Sequence, residues 1–338
     1  MPARPETIFV LMNRLEVDAL GEIFLRLPFL RALREWAPAA KITILPGVGG
    51  KPYWEEHVRP LVEPLVDEVI RLGIPWKRRF DWVFDMEGYP PMSICLRILA
   101  RKNFHTVAWR GWLNFPHRPV YYGNHITKRY LGVLGQATFG EAGTPPWPWP
   151  LPSQYRKVAE QLLPAGHEYV AFAPGAGTQG TGKCWPIERY VEVVRHQASL
   201  GRVSVLLLGH GEAGWDKYFA GIPSVVFPLR DNDCGKSGVP SDPVLTTAIA
   251  ERVRVAVSNC CGTGHMLALG GAPVVTLFGP SSEQKFHPFA RDWLRLHSAK
   301  LRGRDITGIS TDKVIEAVEE LWARNQPMFS TTADVSQL

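Results

Sequence analysis

The stretch "AFAPGAGTQGTGKCWPIERY", residues 171–190, decides the fold because it joins a predicted strand to a predicted helix through a glycine-rich loop. It contains G-x-G-x-x-G, the dinucleotide fingerprint, and from Gly177 to Lys183 most of a P-loop, G-x-x-x-x-G-K. Neither motif is complete. A P-loop needs Ser or Thr after its lysine to hold Mg²⁺, but Cys184 follows here. The dinucleotide fingerprint needs an acid about 20 residues further on, but the first acid after the next strand is Glu212.

Both motifs share a physical core that this loop retains. Backbone N–H groups of a glycine-rich loop, a helix start and one lysine together suit a diphosphate. Pro186 favours a helix that starts after Lys183, since proline fits the first turn. The alternatives are an NAD site, an ATP site and a mobile surface loop.

A second glycine-rich stretch, "SNCCGTGHMLALGGAPVVTLFGP", covers residues 258–280. We predict a strand ending at Asn259, a Gly-Thr-Gly turn and a short helix opened by His265. The N–H groups of Gly262 to His265 would then form another anion site at a helix N-terminus. A helix-capping role is the alternative for His265.

Predicted strands and helices alternate in both halves of the chain, which is typical of parallel α/β sheets. The predicted strands cover residues 7–13, 40–47, 67–73, 81–86, 105–110, 169–175, 203–209, 224–229, 254–259 and 273–279. The predicted helices cover residues 21–38, 91–102, 186–201 and 311–325. The segment "GTPPWPWPLP", residues 143–152, has five prolines and reads as a stiff linker. We therefore predict two doubly wound α/β domains, residues 1–150 and 151–338, with a ligand at the carboxyl ends of the strands.

Composition points to a cytoplasmic globular protein. The chain has 338 residues, is 45% apolar and has a net charge of +6. No apolar run approaches the roughly 18 residues of a membrane span, and the N-terminus lacks the features of a signal peptide. The five cysteines are scattered without a C-x-x-C pair, which favours a reducing compartment.

The positive charge is concentrated in the first half. Residues 88–140 contain no carboxylate, and their basic residues include Arg97, Arg101, Lys102 and Arg110. Such a segment suits a phosphorylated or membrane-surface partner. A solvated basic face is the alternative, because scattered lysines and arginines are common on surfaces.

Several motifs in order and spacing resemble the family 9 glycosyltransferases, the heptosyltransferases of lipopolysaccharide core synthesis. They are "PGA…GKCWPIERYVEVV", "VLLLGHGE", "VSN-x-x-G-x-x-H-x-x-A-L-G-x-P-V-V-T-L-F-G-P", the opening "LGEIFLRLPFLRALREWAPAAKITIL" and the closing "DITGISTDKVIEAVEELW". The resemblance spans about residues 7–324.

The resemblance implies the GT-B architecture, in which two Rossmann-like domains face a central cleft. It further implies a metal-independent, inverting sugar transferase without a cofactor. Domain 1–150 would bind the acceptor, an anionic glycan or glycolipid, and domain 151–338 the nucleotide sugar, typically ADP-heptose. The protein would be cytoplasmic, would rest on the inner membrane through charge, and would not bind nucleic acid.

The resemblance also implies roles for single residues. Glu22 of the Gly21-Glu22 pair matches the family's general base, although an acid in the first turn of a helix would also complement the helix dipole. Lys183 matches the lysine that neutralises the leaving diphosphate. The positions implied for donor binding are Gly175, Thr178, Thr181, Glu212, Cys260, Cys261, Gly262, Thr263 and His265. We assign Arg97, Arg101, Lys102 and Arg110 to the acceptor.

Two departures from the family pattern keep other functions open. The family usually has Asp-Ser/Thr-Gly where this chain has Cys260-Cys261-Gly262, and its catalytic Asp is Glu22 here. The chain could bind nucleotide sugars without turnover, use a protein or small-molecule acceptor, or be an NAD-dependent oxidoreductase.

Two further groupings have metal-site character. Asp231-Asn232-Asp233 has the D-x-D form of a metal–nucleotide clamp. Cys234 with Cys260, Cys261 and His265 could ligate zinc, but adjacent cysteines lack the usual spacing of structural zinc ligands. We expect no metal site from either.

Overall fold

The computed structural model describes residues 4–12, 20–47, 57–108, 112–115, 124–177, 182–298 and 305–328. The chain divides into two compact units, Met1–Pro146 and Trp147–Leu338. The division falls inside the proline-rich segment, where residues 143–152 form neither helix nor strand.

The first unit is a parallel sheet covered by helices. Its strands are β1 (Thr7–Leu11), β2 (Lys41–Leu45), β3 (Glu68–Val69), β4 (Phe80–Asp85) and β5 (Ala100–Thr106). Its described helices are α1 (Leu20–Trp36), α2 (Arg59–Val62), α3 (Pro90–Arg97) and α4 (Ile126–Ala137). The strand order is β3-β2-β1-β4-β5 with every pair parallel. β1 is almost wholly apolar and buried, and β4 buries all six of its residues, including Asp81 and Asp85, as expected of central strands covered on both faces.

The second unit repeats this plan with one more strand. Its strands are β6 (Tyr169–Ala173), β7 (Val203–Leu206), β8 (Val225–Val226), β9 (Val255–Asn259), β10 (Val274–Phe278) and β11 (Trp293–His297). Its described helices are α5 (Ser153–Leu162), α6 (Ile187–Ser199), α7 (Pro228–Asp231), α8 (Cys234–Ser237), α9 (Pro243–Ala250), α10 (Gly262–Leu269), α11 (Glu283–Phe286) and α12 (Thr311–Arg324). The parallel strands run in the order β11-β10-β9-β6-β7-β8.

Both sheets have the strand order of Rossmann-like domains. Counted within each unit, the order is 3-2-1-4-5, and the second sheet adds a sixth strand beside the fifth. In this topology the strand order reverses between the first and fourth strands, because later strands are added on the other side of the first strand. Ligands bind at the carboxyl ends of the strands near that point. The reversal lies between β1 and β4 in one unit and between β6 and β9 in the other.

The sequence patterns predicted most central elements but missed some boundaries. The helix predicted over 91–102 ends at Arg97, and β5 begins at Ala100 rather than at 105. The amide of Phe80 donates to the carbonyl of Leu99, and Phe80 pairs with Ala100, so sheet pairing competes with the helical pattern here. Similarly, Pro186 immediately precedes α6 rather than lying in its first turn.

Candidate functional site

The carboxyl edge of the second sheet gathers both glycine-rich stretches. β6 and β9 are neighbours in register, with Ala173 paired with Ser258. The loop after β6 and the turn after β9 therefore leave the sheet side by side, at the point where the strand order reverses and Rossmann-like domains bind ligands. We take this edge as the candidate donor site.

Asn259, the last residue of β9, ties the first loop to this edge. Its side chain is fully buried, and its Nδ2 donates to the carbonyl of Pro174 at 2.7 Å. Its Oδ1 accepts from the amide of Trp185 at 3.2 Å and from the hydroxyl of Tyr190 at 3.1 Å. One amide thus fixes both ends of the glycine-rich loop. From the sequence, Asn259 was predicted only to end a strand. Its position as a polar residue at the end of an apolar strand is the signal that could have marked it as a functional candidate.

Close packing holds the Lys183 side of the loop from the other direction. A β-carbon on Gly279, just after β10, would lie 2.6 Å from the carbonyl oxygen of Gly182. The indole of Trp185 donates to the carbonyl of Ile309 at 2.9 Å, and Arg189 donates to the same carbonyl at 2.6 Å. The residues flanking Lys183 are therefore wedged between β10 and the turn that precedes α12.

Lys183 lies half-buried beside the second glycine-rich turn. Burial raises the pKa of the Cys260 thiol, while a hydrogen bond with Ser281 and the positive charge of Lys183 lower it. Its influence on Cys260 indicates that the ammonium group of Lys183 lies near the end of β9. The predicted donor residues Thr178 and Thr181 lie outside the described residues.

The turn after β9 is the start of a helix. α10 begins at Gly262, directly after Cys261, so Gly262, Thr263 and Gly264 form its first turn. The prediction that His265 opens this helix is therefore wrong, and His265 is buried within it. A β-carbon on Gly264 would overlap the Ser258 hydroxyl, so glycine allows the close approach of helix and strand. The first-turn N–H groups provide a favourable environment for an anion.

Cys261 immediately precedes this helix and remains a thiol at neutral pH. Burial raises its pKa to about 11, outweighing the amides of Thr263 and Gly264, which lower it. A carboxylate at this place would carry a negative charge, whereas the thiol does not. Neither Cys260 nor Cys261 therefore carries the negative charge that a carboxylate would bring to the end of β9.

Glu212 meets Gly175 at the same edge. Glu212 ends a 3₁₀ turn after β7, and its Oε2 accepts from the amide of Gly209 at 2.8 Å. A β-carbon on Gly175 would overlap the carboxylate of Glu212. The structure thus brings together two predicted donor residues, because β6 and β7 are neighbouring strands.

Glu22 lies in the first unit, in the first turn of α1. Since α1 follows β1, its N-terminus lies at the carboxyl edge of the first sheet. The Glu22 side chain is about one-third exposed, and its Oε2 lies 3.6 Å from Nη2 of the buried Arg26.

Another carboxylate, Asp85, ends β4 at the point where the strand order of the first sheet reverses. No sequence motif marks this residue. Asp85 is fully buried and accepts hydrogen bonds from the hydroxyls of Ser93 and Thr106 and from the amides of Glu87 and Gly88. Burial raises its pKa despite these donors. Both carboxylate oxygens of Asp85 thus accept hydrogen bonds from residues of its own unit.

The predicted acceptor residues lie at the other edge of the first sheet. Arg97 is in the last turn of α3, and Arg101 and Lys102 are near the start of β5, which places all three at the amino-terminal edge. Glu22 lies at the carboxyl edge, so the structure does not bring them together with it. Arg110 lies outside the described residues.

The D-x-D stretch serves local turns. Asp231 accepts from the amide of Phe227, and Asp233 caps α8 by accepting from the amide of Gly235. Nδ2 of Asn232 donates to the carbonyl of Val239. Within the described ranges, no group of three or more His, Cys, Asp or Glu side chains is arranged to hold a metal ion.

The sequence profile of glycosyltransferase family 9 (heptosyltransferase) matches residues 76–302, about two thirds of the chain. The protein therefore belongs to glycosyltransferase family 9 and is a glycosyltransferase. The matched region contains Lys183, Glu212 and the whole of α10, whereas Glu22 lies outside it.

Solved structures agree on the fold. A family 9 glycosyl transferase from Veillonella parvula has a TM-score of 0.68 and 19% identity, covering 94% of this chain and 97% of its own. E. coli heptosyltransferase WaaC with ADP-2-deoxy-2-fluoro heptose has a TM-score of 0.64 and 16% identity, covering 93% and 99%. E. coli ADP-heptose lps heptosyltransferase II has a TM-score of 0.60 and 18% identity, covering 94% and 99%. No curated protein sequence gives a significant match.

The predicted α/β GT-B fold is thereby confirmed, as is the predicted family. Among the described helices, none is both long and apolar enough to cross a membrane.

Proposed function

We propose that this protein transfers a sugar, most simply heptose, from a nucleotide-diphosphate donor such as ADP-heptose to a hydroxyl of an anionic acceptor of the lipopolysaccharide-core type. The transfer inverts the configuration at the anomeric carbon and uses no metal ion. The observation that carries the proposal is the carboxyl edge of the second sheet, where Asn259 holds the Lys183 loop beside the N-terminus of α10.

The second unit, which contains the predicted domain 151–338, binds the donor. The diphosphate lies between the ammonium group of Lys183 and the first-turn N–H groups of α10, which suits two negative charges. Glu212, at the end of the neighbouring strand, accepts hydrogen bonds from the ribose hydroxyls. In Rossmann-like domains an acid in this neighbourhood has that role.

The first unit, within the predicted domain 1–150, supplies the base. The carboxylate of Glu22 takes the proton of the acceptor hydroxyl as that oxygen attacks the anomeric carbon from the face opposite the diphosphate. The new C–O bond forms while the bond to the phosphate oxygen breaks, and its electron pair leaves with ADP. Lys183 stabilises the charge that accumulates on the leaving phosphate.

The thiols at the end of β9 distinguish this donor site. Cys260 and Cys261 stand where the family resemblance implies a carboxylate followed by a hydroxyl side chain. Because burial raises the pKa of both thiols, neither sulfur supplies the negative charge of the family's carboxylate. We therefore expect the nucleotide half of the donor to be recognised more strongly than the sugar, and donors with sugars other than heptose test this.

A second candidate function is binding of a nucleotide sugar without turnover. It is favoured by the ion pair of Glu22 with Arg26, which engages one oxygen of the proposed base. Release of ADP from ADP-heptose in the presence of acceptor separates the two functions.

A thermal-shift screen with ADP, UDP, GDP and NAD, with and without Mg²⁺, tests the donor. A ligand at 100 times its dissociation constant stabilises a fold by about 2.7 kcal/mol. We expect a rise in Tm with ADP that needs no Mg²⁺, that Lys183→Ala loses, and that Lys313→Ala, an exposed lysine of the same unit, retains. A shift with NAD alone would contradict the transferase proposal.

A further inference from the structure

A cavity of about 210 Å³ lies at the amino-terminal edge of the second sheet. Its lining comes from residues 164–169, where the loop after α5 enters β6, from Arg252 and Arg254 before β9, and from Gln326 and Pro327 after α12. Since β6 is five residues long, about 16 Å separate this edge from the carboxyl edge that carries the candidate donor site. The cavity is therefore a separate feature of the same unit.

Hydrogen bonds fix the walls of this cavity. The amide of Arg254 donates to the carbonyl of Tyr169 at 3.0 Å, and the Tyr169 hydroxyl donates to the carbonyl of Pro164 at 2.7 Å. Nη1 of Arg254 donates to Oε1 of Glu168 at 2.6 Å. Its Nε and Nη2 both donate to the carbonyl of Trp322. The guanidinium group of Arg254 is therefore used within the wall.

Arg252 differs from Arg254 because the fold does not saturate its guanidinium group. The residue is only 5% exposed, and its Nε donates to the carbonyl of Leu163 at 2.6 Å. Among the residues that the structure describes, none accepts a hydrogen bond from its Nη1 or Nη2. Neither nitrogen is sealed inside the protein, so both reach the cavity that Arg252 lines.

The positive charge of Arg252 is also only partly compensated. Burial lowers the pKa of its guanidinium group, and three neighbouring acidic groups offset this effect in part. These groups belong to Glu160, Tyr169 and Glu251. Glu251 is already paired with Arg156, whose Nε and Nη2 donate to its two carboxylate oxygens. No carboxylate in the described part of the chain forms an ion pair with Arg252.

We propose that this cavity binds a small anion that carries a phosphate or carboxylate group, held by Nη1 and Nη2 of Arg252. A planar guanidinium group matches two oxygens of either group, and such charge-assisted pairs are stronger than neutral hydrogen bonds. The cavity has room for the anionic group together with several water molecules, each of which takes about 30 Å³ in the liquid. The inference does not rest on the proposed function, because the donor loops lie at the opposite edge of the sheet.

Calorimetric titration of the full chain with inorganic phosphate, at constant ionic strength, tests the proposal. The parent protein carries Lys183→Ala, because phosphate would also bind to the lysine of the candidate donor site. We expect saturable binding. Arg252→Lys keeps a positive charge but loses the pair of Nη donors, and it should weaken phosphate binding about 10- to 100-fold. Arg195→Gln alters an exposed arginine of the same unit and should bind phosphate as the parent does.

A titration with acetate separates the two kinds of anionic group. Acetate binding that Arg252→Lys weakens assigns the site to carboxylates as well, whereas binding of phosphate alone assigns it to phosphates. If Arg252→Lys does not fold, crystals grown with selenate should show the anion within hydrogen-bond distance of Nη1 and Nη2, where its anomalous scattering marks it. Equal phosphate affinity in Arg252→Lys and the parent, no saturable binding of either anion, or selenate found only elsewhere would overturn the proposal.

Discussion

The carboxyl edges of the two sheets have the same topology and different chemistry. In each unit the fourth strand in sequence ends with a buried polar residue, Asp85 in the first and Asn259 in the second. The donors around Asp85 lie on neighbouring segments of its own unit and saturate the carboxylate. Asn259 instead binds both ends of one loop and leaves Lys183 beside a helix N-terminus. The same position is thus saturated by its own unit in the first sheet and organises the candidate donor site in the second.

The proposed function places proton transfer in the first unit and donor binding in the second, and the largest expected effect tests that division. Glu22→Gln removes the proposed base while keeping the shape of the side chain. We expect kcat to fall about 10²–10⁴-fold, the range typical of a lost general base, with the Tm shift by ADP unchanged.

An ADP-release assay with ADP-heptose and acceptor measures this loss. Glu35→Gln, another acid of the same helix, is the control and should retain activity. Full activity in Glu22→Gln would assign the base elsewhere.

Exchanging the polar groups of the two strand ends should have intermediate effects. Asn259→Asp replaces the donor to the Pro174 carbonyl with an oxygen. Asp85→Asn places an NH₂ group against the hydroxyls of Ser93 and Thr106, which donate to the carboxylate in the wild type. Each change leaves buried polar groups mispaired, at a cost of about 1–3 kcal/mol of unfolding free energy.

Only Asn259→Asp should also weaken ADP binding, because only Asn259 holds the Lys183 loop. Chemical denaturation measures the first effect, and calorimetric titration with ADP measures the second. Equal ADP affinity in both variants would remove the distinction between the two edges.

The smallest expected effect concerns the contact between Gly175 and Glu212. In Gly175→Ala the new methyl group must displace the Glu212 carboxylate. Because that side chain can rotate away, we expect a loss of ADP affinity of about threefold to tenfold, roughly 1 kcal/mol. Gly143→Ala, where nothing lies within 4 Å of the new carbon, is the matched control.

Shortening the acid should relieve this clash. Adding Glu212→Asp to Gly175→Ala should leave affinity no lower than Glu212→Asp alone. A further drop in the double variant would show that the alanine acts on the ligand or the loop rather than on Glu212.

The sequence predicted the alternation of strands and helices because central parallel strands are nearly continuous apolar runs. It missed α9, in which every residue after Pro243 is buried, since a helix buried on every side has no amphipathic period. It also missed β11, a half-buried edge strand. Such elements depend on neighbours that are distant in the chain.

The donor loops could be predicted because glycine spacing and helix starts are local features. The role of Asn259 could not, because it depends on contacts with residues 69 to 85 positions away. The basic residues of the first unit were recognisable as a group, but the edge of the sheet on which they lie follows from where α3 ends. That boundary is the one the helical pattern misplaced.

The placement of the cysteines makes the protein suitable for site-selective fluorescent labelling. Cys95 is exposed on α3 beside Ile94, and Cys234 is exposed in the second unit. Burial raises the pKa of the donor-edge thiols Cys184, Cys260 and Cys261, so they supply little thiolate to an alkylating dye near neutral pH. With Cys234 replaced by serine, a dye on Cys95 would report on the first unit while the candidate donor site stays unmodified.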